Sequence, residues 1–330
     1  MKGTSKLFLL AALLLGLSLM VPTVGIGAGK PVFLGFAGGP ATGTFGKAAA
    51  GIAVVLKEKS GGNISPTSQA TSGGGENVTL VSTGKADMGI SAASDLFEAY
   101  YGEGLYKGKQ QTNFRVVGHT IQSVFNLTVL ERSGFKTIKD LNSKKLSFGS
   151  PGSASAGFSE RYFPEVGLKP QKQYLAGGEA ATALKDGQID AYLWGPSMPA
   201  PDLVDLISTT TIRLLDLGTP ATEAGFFKKY PFYAPFTLKR GSYKGVDYDV
   251  PTATTGVFWI VNKDLPEDLV YQMAKFAYTN TEALKKAFGP LTVMQANESS
   301  ISGINVPLHP GAEKFWKEVG VKIPDALRAK

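Results

Sequence analysis

The sequence of 330 residues contains no cysteine and only two histidines, His119 and His309. Without cysteine the chain forms no disulfide and performs no thiolate chemistry. No HExxH, EF-hand or clustered Cys/His pattern occurs, so the sequence indicates no metal site. Neither histidine has a partner at a spacing typical of catalysis, and we interpret both as structural. We therefore expect no cofactor, no metal and no enzymatic activity.

Long apolar runs are equally scarce. The longest, residues 7–21, follows Lys2 and Lys6 and precedes a stretch of small residues at 25–29. This is the three-part layout of a secretory signal, and the run is shorter than the ~20 residues that a membrane span needs. We expect residues 1–28 to be a signal peptide cleaved after Gly27 or Ala28, which would place the mature chain in the periplasm. An uncleaved anchor is the alternative.

The charge is modestly basic and is not concentrated anywhere. The formal net charge is +7, and lysine pairs are scattered at 144–145, 228–229 and 285–286. A nucleic-acid-binding protein would be expected to gather such residues into a patch or stripe. We therefore interpret them as a solvated surface with some attraction for anionic solutes, and we expect no nucleic-acid partner.

Apolar runs with strand and helix character alternate along the chain, which predicts an α/β fold with parallel sheets covered on both faces. One pattern occurs twice: GGE, seven residues, Gly, two residues, Asp and an apolar strand, starting at Gly74 and again at Gly177. The repeat predicts two similar lobes. Strand-like crossings near 114–131 and 250–261 divide the chain into lobe one, residues 29–120 and 255–330, and lobe two, residues 121–254.

Two glycine- and hydroxyl-rich loops each follow a strand and open a helix, at residues 42–45 and 152–155. The first is not a Walker A loop, because Ala48 follows Gly46-Lys47 where Ser or Thr is required and Ala41 replaces the first glycine. Helix N-termini carry unpaired N–H groups and partial positive charge, so both loops can bind an anion without a basic side chain. If they face each other across the lobes, they would hold a small carboxylate from both sides.

The order of these motifs resembles the TAXI family, the solute receptors of one branch of the TRAP transporters. The resemblance lies in the loop 39–45, the segment GGGENVTLVSTGKAD, the loop 149–155, the stretch 187–191, and Tyr243, Gly245 and Asp249 to Thr252. It covers about residues 32–288. It implies a two-lobed type II periplasmic binding protein fold with mixed sheets and a two-strand hinge. It also implies a receptor that binds a small organic anion of the carboxylate, amino-acid or dicarboxylate class and delivers it to a TRAP permease.

Carried over by position, the resemblance implies a set of ligand-binding residues in both lobes. These are Thr42, Gly43, Thr44, Phe45, Asn77, Ser91 and Ser94 from lobe one, and Gly152, Ser153, Ser155, Trp194 and Gly195 from lobe two. The chain departs from the family pattern at Phe45, Ala92, Ala93 and Ala154, where polar groups are lost. We therefore expect a less polar or larger acid than glutamate.

Other interpretations remain open on the sequence. A receptor of an ABC-type importer with the same lobes fits equally, and an exported hydrolase using Ser153 or Ser155 is a less favoured alternative. Arg115 and Arg161 can either pair with a ligand carboxylate or form structural salt bridges. In each receptor interpretation we expect a monomer.

Overall fold

The computed structural model describes residues 30–41 and 43–329. The expected signal peptide, residues 1–28, lies outside them. Among the described residues, no helix combines the length and the apolar character needed to cross a bilayer.

The strands form two separate sheets. In chain order they are β1 Val32–Ala37, β2 Ile64–Gln69, β3 Met88–Ala92, β4 Phe114–Val124, β5 Asn126–Leu130, β6 Lys145–Ser147, β7 Gln171–Gln173, β8 Ala191–Trp194, β9 Ile212–Leu215, β10 Ala234–Leu238 and β11 Val250–Asn262.

Helices connect most of these strands. They are α1 Thr44–Lys59, α2 Gly74–Ser82, α3 Ala93–Tyr101, α4 Ala154–Glu165, α5 Gly177–Lys185, α6 Pro201–Thr209, α7 Gly218–Glu223, α8 Phe226–Lys229, α9 Glu267–Tyr278, α10 Thr281–Ala287 and α11 Pro310–Glu318.

The first sheet has the order β10-β11-β3-β1-β2, with β4 also paired to β11, and the second has the order β7-β6-β8-β5-β9. In each sheet a parallel trio (β2-β1-β3 or β7-β6-β8) is extended by an antiparallel strand, β11 beside β3 and β5 beside β8. We call the first sheet with its helices the first half and the second sheet with its helices the second half. The mixed α/β, two-lobed fold is confirmed, whereas the exact lobe boundaries stay a prediction.

Each half has its own apolar core. Helices α1 to α3 and α9 to α11 contribute to one continuous core with the first sheet. The second sheet is covered on both faces, by α4, α7 and α8 on one side and by α5 and α6 on the other. Such burial on both faces explains why β8 reads as an uninterrupted apolar run in the sequence.

Two connections cross between the halves. β4 belongs to the first sheet and β5 to the second, with only Phe125 between them, and β11 returns the chain to the first sheet. The crossing segments are tied together, since Phe125 N–H donates to the Ala253 carbonyl at 2.9 Å and Thr254 Oγ1 donates to the Ser123 carbonyl at 2.7 Å. They form the two-strand connection that the sequence predicted.

Two strands of the first sheet contain residues that are unusual in strands. One of them, β10, pairs antiparallel with β11. β2 and β10 contain Pro66 and Pro235, which count against a strand in a sequence-based interpretation. Both strands lie at the edges of the first sheet, where a missing N–H is tolerated.

Candidate functional site

A cavity of about 360 Å³ lies between the two halves. Its walls come from the loops that follow β1, β2, β6, β7 and β8, from the first residues of the helices after them, and from Phe288 after α10. It is lined by Pro40, Gly43, Thr44, Phe45, Lys47, Ser72, Gly73, Gly74, Ser150, Ser153, Ala154, Ser155, Ala176, Gly177, Gly178, Trp194, Gly195, Pro196, Pro201, Asp202, Asp205 and Phe288.

The cavity is surrounded by helix N-termini. Helices α1 and α2 begin at its wall in the first half, and α4, α5 and α6 begin there in the second half. The first N–H groups of a helix have no partner within the helix and carry about half a positive charge in sum. Both halves therefore present hydrogen-bond donors and positive potential to the same small volume, which favours an anion.

The loop before α1 is shaped by close backbone contacts. Gly43 N–H donates to the Pro40 carbonyl at 2.9 Å, which turns the chain into the helix. A Cβ atom at Gly46 would lie only 2.2 Å from the same carbonyl oxygen, so the turn requires glycine there. This tight turn brings Thr44 and Phe45 to the cavity wall.

The facing loop, which precedes α4, is held in place by side-chain hydrogen bonds. Ser153 is the N-cap of α4, and its hydroxyl accepts a hydrogen bond from Ala156 N–H at 3.1 Å. Ser155 Oγ accepts one from Gly195 N–H at 2.9 Å, which ties the start of α4 to the end of β8. The two segments therefore form one continuous wall with Trp194.

The two halves approach each other closely at the edge of the cavity. A Cβ atom at Gly73 would lie 3.4 Å from the Gly152 carbonyl oxygen and 3.8 Å from Ser153 Cα. Loops of opposite halves are thus in contact there, and the structure shows the halves brought together around the cavity.

Charged side chains in the described part of the lining are few. Lys47 on α1 contributes a basic group, and Asp202 and Asp205 on α6 contribute acidic groups. Burial raises the pKa of the Asp202 carboxyl, which lies 3.4 Å from Tyr192 Oη. Phe45, Trp194 and Phe288 supply apolar surface. The cavity thus combines backbone donors for charge with aromatic surface for an organic moiety.

Seven of the expected site residues meet at this cavity: Gly43, Thr44, Phe45, Ser153, Ser155, Trp194 and Gly195. Asn77, Ser91 and Ser94 lie behind the wall and are almost fully buried. Asn77 Nδ2 donates to the Ile90 carbonyl at 2.7 Å, and Ser91 Oγ donates to the Gly74 carbonyl at 3.1 Å. Gly152 lies at the edge, and Thr42 is outside the described residues. Ligand contact by any of these twelve residues stays a prediction.

The cavity also includes residues that the sequence interpretation did not select. Ser72 to Gly74 open α2, Ala176 to Gly178 open α5, and Pro201, Asp202 and Asp205 lie on α6. A signal for the first two sets was present, because the GGE repeat marks both helix starts. It was interpreted only as a fold feature, since helix starts are common in any α/β chain.

The remaining titratable candidates are engaged elsewhere. His119 packs against Phe258 with ring centroids 5.3 Å apart, and burial lowers its pKa to about 4. His309 Nδ1 accepts a hydrogen bond from Gly311 N–H at the start of α11. Arg115 donates to the carbonyls of Thr112 and Phe114. Arg161 forms an ion pair with Glu98. Within residues 30–41 and 43–329, no cluster of His, Asp or Glu side chains could hold a metal ion.

A family model described as NMT1-like matches residues 36–320. The chain belongs to the NMT1-like family. All residues of the cavity wall fall inside the NMT1-like match.

Several solved structures have a similar fold, and one of them is described as a solute-binding protein. Malate-bound MatC from Rhodopseudomonas palustris is 12% identical, with 88% of this chain and 97% of that chain covered and a TM-score of 0.57. A TctC solute-binding protein from Polaromonas is 16% identical over 80% and 89% of the two chains, with a TM-score of 0.51. A putative L-cystine ABC transporter protein from Listeria monocytogenes is 15% identical over 79% and 96%, also with a TM-score of 0.51. At these identities the likeness shows that the chain shares the fold of these proteins.

Proposed function

We propose that this chain is an extracytoplasmic solute receptor that binds a small organic anion between its two halves and delivers it to a TRAP-type secondary transporter. The observation that carries the proposal is the convergence of helix N-termini from both halves on one cavity. A ligand that bridges the halves stabilises their approach, and a membrane permease can recognise that approach.

The expected ligand class follows from the lining. Backbone N–H groups at the starts of α1, α2, α4 and α5 are suited to carboxylate oxygens, and Lys47 adds one basic side chain. Phe45, Trp194 and Phe288 give the remaining wall an apolar character suited to a carbon skeleton. The bound malate in MatC shows that one protein of this fold holds a small dicarboxylate. We propose a carboxylate with more apolar surface than glutamate.

The TRAP-type partner is supported by the motif resemblance, and an ABC-type importer is the competing assignment. The solved structures of similar fold include a putative ABC transporter protein, so the fold does not discriminate between the two. Genes for TRAP permease subunits beside this gene would support the proposal. Genes for a transport ATPase there would contradict it.

The catalytic alternative finds no support in the contacts of the two serines. Ser153 Oγ caps α4 and Ser155 Oγ accepts from Gly195 N–H, both in the second half. His119 and His309 lie in the first half and are bonded or packed there. A nucleophilic serine requires a base within hydrogen-bond reach. We therefore propose a binding protein without catalytic activity.

The decisive experiment identifies the ligand and then removes one of its contacts. Native mass spectrometry of the purified mature chain should reveal a co-purified acid, and a melting-temperature screen of carboxylates should find compounds that raise the melting temperature. For the acid so identified, Thr44→Val and Ser153→Ala should each weaken binding by about 1–3 kcal/mol in calorimetric titration, because a buried hydrogen bond is lost.

Thr279→Val is the matched control, since Thr279 is exposed at the end of α9, where its hydroxyl donates to the Lys275 carbonyl at 2.6 Å and accepts from Asn280 Nδ2 at 3.3 Å. Its affinity should equal that of the wild type. If no carboxylate raises the melting temperature, or if both cavity variants bind as tightly as this control, the proposed function is wrong.

A further inference from the structure

A second interface between the halves lies behind the cavity, where α3 of the first half meets α4 of the second. Arg161 on α4 pairs with the Glu98 carboxylate on α3. The side chains are only 14% and 8% exposed, so both charges are largely removed from water. Arg161 also donates to Tyr233 Oη at 3.2 Å and to the Gly157 carbonyl at 2.7 Å.

The two helices belong to different cores. Leu96 and Ala99 on α3 pack into the core of the first half, whereas Phe158 and Tyr162 on α4 pack into that of the second. The ion pair therefore joins helices from the two halves. It is separate from the crossing strands near Phe125, which join the halves covalently.

This contact is continuous with the cavity wall. Asp95 lies one turn before Glu98, and a Cβ atom at Gly74 would lie 2.3 Å from Asp95 Oδ2. Gly74 itself lines the cavity. On the other side, the Phe232 ring lies 5.6 Å from the Arg161 guanidinium carbon and 5.6 Å from the Phe97 ring. Aromatic surface thus helps to exclude water from the pair.

The burial of the pair links its strength to the arrangement of the halves. Charges in a poorly hydrated contact attract each other strongly, and this attraction compensates for the hydration that both lose on burial, so removal of one partner leaves the other charge buried without compensation. Separation of α3 from α4 would hydrate both groups and abolish their attraction. The pair is formed only when the halves are together, so it biases the population toward that arrangement.

We propose that the Arg161–Glu98 ion pair is an interlobe lock, which favours the closed arrangement of the halves and so positions the cavity for ligand without touching it. The consequence for ligand binding rests on the proposed function. The lock itself does not, because it concerns the ligand-free chain. It is a positioning device rather than part of the ligand contacts.

The test measures the distance between the halves in the full mature chain without ligand. Because the chain has no cysteine, Val54→Cys and Val204→Cys provide unique spin-label sites. Val54 is 58% exposed on α1 and Val204 is 47% exposed on α6, in opposite halves. Double electron–electron resonance then reports the distance distribution between α1 and α6.

In this labelled background, Arg161→Gln should shift the distribution to longer distances by several ångströms, and Glu98→Gln should shift it less in the same direction. The matched control is Arg213→Gln, which breaks the Arg213–Glu131 ion pair within the second half. Its distribution should coincide with that of the labelled parent. Cooperative urea unfolding of each variant establishes that it is folded.

Distributions of both variants that coincide with the parent would overturn the lock. If Arg161→Gln does not fold, Glu98→Gln, which keeps the side-chain shape, decides alone. Failure of the lock leaves the melting-temperature screen unaffected, and a chain that binds no carboxylate can still show the longer distances. The two proposals therefore fail separately.

Discussion

The two copies of the GGE repeat fold in the same way and make similar contacts. Glu76 Oε2 accepts from Ser72 N–H at 2.7 Å and Glu179 Oε2 from Ala176 N–H at 3.3 Å, each at the start of its helix. Each helix ends before a glycine with positive φ, +70° at Gly84 and +73° at Gly187. The repeated residues therefore specify how each helix begins and ends.

The repeated aspartate has an equally clear role in both copies. Asp87 Oδ2 accepts from Gly35 N–H at 2.6 Å, and Asp190 Oδ2 accepts from Lys145 N–H at 2.8 Å. In both halves the carboxylate lies just before one parallel strand and hydrogen-bonds to its neighbour. It links β3 to β1 in the first half and β8 to β6 in the second half. The repeat is a structural unit in the same place in each sheet.

The copies differ in what lies behind the first glycine of the helix. At Gly74 a Cβ atom would meet Asp95 Oδ2 and Ser91 Oγ, whereas at Gly177 it would meet the Trp194 indole at 2.5 Å. The same backbone arrangement therefore packs against polar side chains in the first half and against an aromatic side chain in the second half. The difference shows that residues outside the GGE pattern determine which side chains pack against the first glycine of each copy.

The largest expected effect is a pH dependence of the free energy of unfolding. It arises from Asp95, which lies behind Gly74 in the first copy of the repeat. Burial raises the pKa of the Asp95 carboxyl from 3.8 to about 7, with Arg161 opposing and Glu98 adding to the rise. Between pH 4 and pH 7 the folded chain keeps a proton that the unfolded chain has lost, so the free energy of unfolding falls as pH rises through this window. At about 1.4 kcal/mol per pKa unit, the loss is on the order of 2–4 kcal/mol.

Urea denaturation at pH 4.5 and pH 8 measures this loss, and Asp95→Asn isolates it. The variant should lose less stability over the same interval, because the titrating carboxyl is gone. An identical pH dependence in wild type and variant would contradict the prediction.

The next largest effect on the free energy of unfolding compares Asp87 and Asp190, the aspartates of the two copies. Asp87→Ala removes a charged acceptor from a partly buried hydrogen bond and should lower the free energy of unfolding by about 1.5–3 kcal/mol. The corresponding bond of Asp190 is exposed, so Asp190→Ala should lower it by less. Chemical denaturation of both variants measures the difference. A loss for Asp190→Ala that equals or exceeds the loss for Asp87→Ala would contradict the prediction.

A smaller loss of stability is expected from substitution of Gly74 and Gly177, the first glycines of the two copies. Gly74→Ala and Gly177→Ala each force a methyl group against packed side-chain atoms and should destabilise the fold by about 1–3 kcal/mol. Gly178→Ala is the matched control, because a Cβ atom there would meet no described heavy atom within 4 Å. Thermal unfolding of the three variants tests this, and a loss for Gly178→Ala equal to that for Gly177→Ala would contradict it.

These comparisons also show which features the sequence could reveal. The helix starts at Thr44 and Ala154, the repeat and the two crossings follow from local patterns of glycine, hydroxyl and apolar residues. The Arg161–Glu98 pair joins residues 63 positions apart, and nothing near either residue specifies the partner. From the sequence alone, the short polar side chain of Asn77 is compatible both with ligand contact and with a structural role. Only the packing shows that it bonds the Ile90 carbonyl behind the cavity wall.

The smallest expected effect contrasts the starts of α1 and α4. The N-cap of α1, Gly43, makes no side-chain capping bond, whereas the Ser153 hydroxyl caps α4 through Ala156 N–H. Ser153→Ala should therefore lower the free energy of unfolding by about 1 kcal/mol, and Ser153→Gly by only a few tenths. Chemical denaturation of both variants measures this. Equal stability of Ser153→Ala and wild type would mean that the hydroxyl contributes nothing as a cap, so that any loss of affinity in Ser153→Ala would then arise from the ligand contact alone.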